Sequence, residues 1–302
     1  MSKAPALPLL PADRRTGAER PLLAIALVLS AVAVFSLSDT LSKLLAERLD
    51  PVEVVCGRYL VILALLSPAV LRRPRLALTQ QPLLQLLRGI AVLGAAVFFI
   101  AGLQRLALAD ATAIAFASPL IVTALSIPLL GEQIGIRRWS AVAVGFLGVL
   151  VVTRPGSGAI GAAAALPLLS AACWALAIVL TRRMRGADLP VTTLAYSTTI
   201  GFVLSALALP LVWRPPSLGE CGMLVAMGML NAGGQYLFIA GLIRGAASML
   251  APFSYSQMIW STLMGYLVFG AVPAAWTWAG AGLVVGSGVY IAHRERLRAR
   301  RA

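Results

Sequence analysis

Phe99-Ile-Ala-Gly-Leu-Gln-Arg-Leu-Ala107 returns later in the chain as Phe238-Ile-Ala-Gly-Leu-Ile-Arg-Gly-Ala246, with seven identities in nine positions at an offset of 139 residues. The register holds well beyond this stretch without a gap. It pairs Pro51-Val52 with Pro190-Val191, Gly89 with Gly228, Gly94 with Gly233, Thr123 with Thr262, Gly131 with Gly270, and Trp139 with Trp278. Chance similarity does not keep one register over half a chain, so the sequence is an internal duplication.

What is duplicated follows from the surrounding composition. Of 302 residues, 60% are hydrophobic and 12% charged, roughly half the charge of a soluble domain, which carries about 25%. Apolar runs of roughly 18 to 25 residues recur, the length that crosses about 30 Å of hydrocarbon. Charge clusters, Pro and Gly punctuate them and predict spans near 22–46, 54–71, 83–104, 109–130 and 137–153, then 160–181, 191–213, 219–242, 246–269 and 274–293.

The expected fold is an all-α membrane protein of ten transmembrane helices in two repeats, 22–153 and 160–293. Five spans per repeat is an odd number, so the second copy enters the membrane from the opposite side and the repeats are inverted. That symmetry suits alternating access, because each half can adopt the conformation its twin has left, with a solute bound between them near the midplane.

Charge fixes the predicted orientation. Eighteen Lys and Arg residues fall on the side that carries both tails, among them Arg72, Arg73, Arg75, Arg182, Arg183 and Arg244, against Arg48, Arg105, Arg154 and Arg214 on the other. This bias predicts both termini in the cytoplasm, with 1–21 a disordered cytoplasmic tail and 294–302 a basic one. The net charge of +14 lies in these clusters without interleaved aromatics, which argues against a nucleic-acid partner. One missed span would swap every later loop and destroy the asymmetry.

Polar groups inside the spans are the site candidates, because ionisable side chains in hydrocarbon cost a few kcal/mol (about +3 for Asp) and usually face a cavity or a partner. Asp39 is the only acid well inside a predicted span, and Lys43 follows at i+4 on the same face, close enough to neutralise it. Arg58 is about one turn into the second span and Arg88 about one turn into the third. On one reading Asp39 takes a cationic group or a coupling proton, while Arg58 or Arg88 takes a substrate anion. On the other, Asp39 and Lys43 form a structural pair and both arginines snorkel to headgroups.

The aligned positions in the second repeat are Ile178, Ser197 and Met227, so the charge is confined to the first. The second offers Asn231, Gln235 and Tyr236 on the eighth span and Tyr255, Gln257 and Trp260 on the ninth. Amides and aromatics of this kind hydrogen-bond and stack a planar solute, or join helices. Trp276 and Trp278 read as interfacial anchors.

Pro119 and Pro128 interrupt the fourth span and Pro252 the ninth, making hinges plausible at both. Gly282 and Gly286 form a small-residue face on the tenth span, suited to another helix or to a second copy in a homodimer. No phosphate-binding loop and no HExxH motif occurs, and the sole histidine, His293, lies at a span end. No catalytic residues, no metal site and no cofactor are expected, and the chain is not expected to be an enzyme.

These residues together resemble the drug/metabolite transporter superfamily, specifically the ten-helix EamA-type permeases. The resemblance rests on the five-plus-five repeat, Asp39-x-x-x-Lys43, Ala109-Asp110-Ala-Thr-Ala, Ser118-Pro119, Leu130-Gly131-Glu132 and Gly145-Phe-Leu-Gly148. In the second half it rests on Ala251-Pro252-Phe-Ser-Tyr255-Ser-Gln257 and Phe269-Gly270. Ala271 stands where the family's second repeat usually has an acid. The resemblance implies a bacterial inner (cytoplasmic) membrane permease with a central cavity and two halves that move against each other. Its members include importers of riboflavin and S-adenosylmethionine and exporters of amino acids; a lipid or lipid-linked-sugar flippase is the rival reading.

Overall fold

The computed structural model describes residues 21–72, 78–130, 136–153, 162–184, 188, 190–244, 250 and 253–299. Its helices are α1 (Pro21–Ala46), α2 (Pro51–Arg72), α3 (Pro82–Leu103), α4 (Leu108–Ala115), α5 (Ser118–Leu130) and α6 (Ile136–Thr153) in the first repeat. The second has α7 (Ala165–Arg183), α8 (Pro190–Ala208), α9 (Leu218–Arg244), α10 (Gln257–Phe269) and α11 (Ala275–Ala299). Seven segments of the described chain are long and apolar enough to cross a bilayer. With α6, α10 and α11 they compose the ten spans, since α4 and α5 are one span in two pieces.

Local chemistry sets the helix starts. Pro51 and Pro190, aligned in the repeat, open α2 and α8, where a missing N–H costs nothing. Asp50 caps α2 by accepting from the Val52 amide at 2.8 Å. Ser217 and Glu220 form a reciprocal capping box at α9: the Ser217 amide donates to Glu220 Oε2 at 2.7 Å and the Glu220 amide to Ser217 Oγ at 3.3 Å. Gly270, at φ 63°, ends α10 in the left-handed conformation that a Cβ disfavours.

The fourth span breaks at Phe116-Ala117, between α4 and α5. Pro119 explains the place, because its ring excludes the carbonyl four residues earlier, that of Ala115, where α4 ends. Pro119 thus belongs to the first turn of α5 instead of interrupting it, and the chain remains helical through Pro128. The ninth span breaks at the aligned place, Tyr255-Ser256, just before α10, although Met258 stands where Pro119 would be. Pro252 lies outside the described residues.

The repeats are related by contacts as well as by sequence. A Cβ on Gly89 would meet Ile200, and one on Gly228 would meet Val61, the aligned pair; Gly102 faces Pro167 and Gly241 faces Val28 in the same relation. On the pseudo-two-fold axis, Phe116 and its counterpart Tyr255 touch, with ring centroids 5.1 Å apart.

The heaviest packing runs between repeats: α1 on α9, mirrored by α7 on α3, with α2 on α8 and α6 on α11 along the axis. At the last of these, backbones meet directly, since a Cβ on Gly148 would lie 2.7 Å from the Gly280 carbonyl. The sequence halves are therefore interleaved. The resemblance implies movement of one half against the other, and in this structure the interface between the two sequence halves is the most heavily packed one.

Candidate functional site

Three elements converge where the fourth and ninth spans break. From α1 comes Asp39, whose Oδ2 accepts from Gln257 Nε2 at 3.2 Å. Ser36, one turn earlier, donates its hydroxyl to the Gln257 carbonyl at 3.3 Å and lies 3.3 Å from Ser261 Oγ. Thr112 of α4 closes the cluster at 3.2 Å from the same hydroxyl. Ser36, Thr112 and Ser261 are buried, so the cluster is a polar kernel in an apolar bundle and holds α1, α4 and α10 in register. Tyr255 and Trp260 flank Gln257 and are half-buried; the Tyr255 ring stacks obliquely on Phe116.

α9 brings its amides to the same depth. Ser38 and Ser42 meet Met227, and Phe35 meets Gly234 and Phe238. This antiparallel ladder sets Asn231 level with Ser38, one residue from Asp39. Gln235 Nε2 donates to Asn231 Oδ1 at 3.2 Å within the helix.

On the Arg-rich side, a second polar assembly ties the repeats together. Arg88 donates to Thr181 Oγ1 at 2.7 Å, to the Thr193 carbonyl and to Ser197 Oγ, so it is a strut between α3, α7 and α8 and does not snorkel outward. Asp188 accepts from Thr79 Oγ1 at 2.5 Å, Gln85 Nε2 at 2.8 Å and the Gln80 amide at 3.1 Å. Burial alone raises the Asp188 carboxyl, but these three hydrogen bonds outweigh it and hold the group below the usual carboxylate range.

Comparison with known proteins identifies the family. The EamA-like transporter family matches residues 22–154 and again residues 160–292. This chain belongs to that family. A riboflavin transporter of Rhizobium johnstonii is 30% identical over 67% of this chain and 68% of its own. An S-adenosylmethionine uptake transporter of Rickettsia bellii is 26% identical over 86% of this chain and 90% of its own. A pseudopaline exporter of Pseudomonas aeruginosa is 29% identical over 86% and 93%. A protein of known crystal structure, 20% identical, superposes over 90% of this chain and 98% of its own with a TM-score of 0.61. The chain is a multi-pass membrane transporter of small molecules.

Within this EamA permease, the other predicted residues separate into different surroundings. Lys43 does not turn to Asp39: its ammonium donates to the carbonyls of Leu103 at 2.8 Å and Leu106 at 2.5 Å and sits 5.3 Å from the Phe269 ring centroid. It is a cap on the end of α3. Tyr236 is 74% exposed; two residues on from Gly234, about 200° around the helix, it faces away from α1 and from the amide pair. Among the described residues nothing lies within 4 Å of a Cβ added at Gly282 or Gly286.

Two groups escape a sequence reading. Glu53 is 3% exposed with both carboxylate oxygens sealed from solvent, turned toward the Asp50 and Arg214 backbone; α2 begins three residues before the predicted span, so the acid falls within the helix. Tyr59 reads as one more aromatic in an apolar run, yet its hydroxyl is sealed without a hydrogen-bond partner, as is Arg58 Nε beside it. A Tyr directly after an in-span Arg was the signal available.

Proposed function

We propose that this permease is a secondary carrier, and not an enzyme, for a small planar or zwitterionic metabolite across the bacterial inner membrane, with both termini cytoplasmic. The observation that carries the reading is the hydrogen bond between Asp39 and Gln257 beside the paired breaks of the fourth and ninth spans, with the Asn231 and Gln235 pair on α9, the helix packed most heavily on α1. Asp39 takes the cationic group or the coupling proton, and the amides and Trp260 orient the rest of the solute. The breaks at Phe116-Ala117 and Tyr255-Ser256 act as the hinges, since the chain there lacks continuous helical hydrogen bonding. The names of the similar proteins support riboflavin, S-adenosylmethionine or a comparable metabolite as cargo, and import as the leading direction. A second copy docks on the open Gly282 and Gly286 face of α11, which light scattering of the purified protein tests.

A lipid or lipid-linked-sugar flippase has one observation in its favour: a cavity of about 600 Å³ between α2, α3 and α8, with walls of Leu63, Leu66, Val70, Leu86 and Ile200. A thermal-shift screen of detergent-purified protein with riboflavin, S-adenosylmethionine, amino acids and lipid-linked sugars separates the two. A water-soluble compound that stabilises the wild type, but not the Asn231→Ala, Gln235→Ala double variant, supports the carrier. Stabilisation by lipids alone overturns it.

A further inference from the structure

Deepening the carrier reading, on which it rests, we propose that the oxygen cluster of Ser36, Thr112, Ser261, the Gln257 carbonyl and Asp39 binds a sodium ion, which is carried together with the solute.

The cluster is rich in acceptors and poor in donors. Each hydroxyl has one proton to give and two lone pairs to receive. The Thr112 proton goes along its own helix to the Leu108 carbonyl at 2.8 Å, and the Ser36 proton goes to the Gln257 carbonyl at 3.3 Å. The Ser261 proton reaches one of its two neighbours, Ser36 at 3.3 Å or Thr112 at 3.2 Å. Most of the lone pairs on these buried hydroxyls therefore face one another without a proton between them. The spacing is slack as well. Hydroxyl hydrogen bonds close to about 2.7–2.8 Å, and those on the same stretch of α1 do so, from Thr40 to the Ser36 carbonyl at 2.7 Å and from Ser42 to the Ser38 carbonyl at 2.8 Å. Oxygens that share a hard cation at about 2.4 Å stand about 3.4 Å apart at right angles, close to the spacing in the cluster.

Charge selects the kind of ion. Asp39 is the one acid here, and its hydrogen bond comes from a neutral amide, Gln257 Nε2. Lys43 is committed to the end of α3, and the Arg58 guanidinium lies over the Tyr59 ring. One carboxylate balances one positive charge. Calcium collects several carboxylates, and among the described residues no three His, Cys, Asp or Glu side chains gather. Potassium, with its longer bonds, needs a wider spacing; sodium fits. Gln257 adapts by turning its amide over, which exchanges the Nε2 donor for an Oε1 acceptor. The ligands come from α1, from the last turn of α4 and from the first two turns of α10, so the ion ties both broken spans to α1. Because Gln257 also belongs to the solute site, ion and solute strengthen each other's binding.

Sodium binding to the purified full chain tests this without knowledge of the solute. The apparent Tm is followed as NaCl replaces choline chloride at constant ionic strength, with KCl as the comparison. The expected result is a saturable rise with sodium that potassium and choline do not produce. Ser261→Ala and Thr112→Val each remove one ligand oxygen and should raise the sodium concentration for half-maximal effect about tenfold or more. Asp39→Asn should abolish the response. Equal responses to sodium, potassium and choline overturn the assignment, as does a sodium response that survives all three substitutions. Proteoliposome uptake of riboflavin or S-adenosylmethionine at the same rate in sodium and potassium overturns the coupling and leaves the carrier reading standing. Sodium-specific binding with no uptake of any solute keeps the ion site and overturns the carrier reading together with the coupling.

Discussion

Lys43→Met converts the half-buried ammonium on α1 into an apolar side chain of similar length. Two hydrogen bonds to the carbonyls of Leu103 and Leu106 are lost, each about 1.5–3 kcal/mol for a charged donor, together with the contact over Phe269. The relief of desolvation of the ammonium offsets part of this. The net loss is about 2–3 kcal/mol, because Leu103 and Leu106 are buried and their carbonyls would be left without a donor. For a chain of this size each kcal/mol moves Tm by about 2–3 °C, so scanning fluorimetry in detergent should record a fall of about 5 °C. Solute affinity should stay within a factor of about two. An unchanged Tm with tenfold weaker binding would refute the capping role and return Lys43 to the solute site.

Three further outcomes follow from the geometry. Because hydrogen bonds hold the Asp188 carboxyl below its ordinary 3.8, the clamp from Thr79 to Gln85 stabilises fully above that pH and is released as the pH falls through the lower, folded value. Hydrogen exchange at Gln80 and Gln85 should rise only at strongly acid pH in the wild type, and be high and acid-independent in Asp188→Asn. Gly280→Val drives a side chain to 2.5 Å from the Gly148 carbonyl and from Val152, and overpacking of this kind costs about 1–3 kcal/mol or more. Gly282→Val meets nothing within 4 Å among the described residues, so it should leave the monomer's Tm near the wild type and shift the light-scattering mass from dimer to monomer. Asp39→Asn should insert and fold normally yet lose the pH dependence of uptake; unchanged pH-dependent uptake removes Asp39 from proton coupling.

The span pattern and the repeat were legible because both are written in one dimension: apolar run length, charge clusters and a fixed offset. What escaped is set by partners far away in sequence. The i, i+4 spacing favours an Asp39 and Lys43 pair, but the orphan carbonyls at the end of α3 are stronger competitors for the ammonium, and Gln257 takes the carboxylate. Arg88 reads as a snorkelling cation until Thr181 and Ser197 of the other repeat offer it hydroxyls. The break in the ninth span coincides with that in the fourth through shared architecture, not through a shared proline. A three-residue error at the start of α2 hid Glu53, and the adjacency of Arg58 and Tyr59 was the one local sign that a polar group sits in that apolar run.

The interleaving of the repeats has a consequence for biogenesis. When the ribosome has delivered only the first five spans, α1 and α3 lack the surfaces of α9 and α7 on which they come to rest. At about 5–20 residues per second, the remaining half takes about 7–30 s to arrive. Over that interval the early spans wait in the bilayer as loosely associated helices, with Asp39, Arg58 and Arg88 unshielded. A chain cut between the repeats should accordingly recover its fold when both pieces are made in the same cell, and neither piece should persist when made alone.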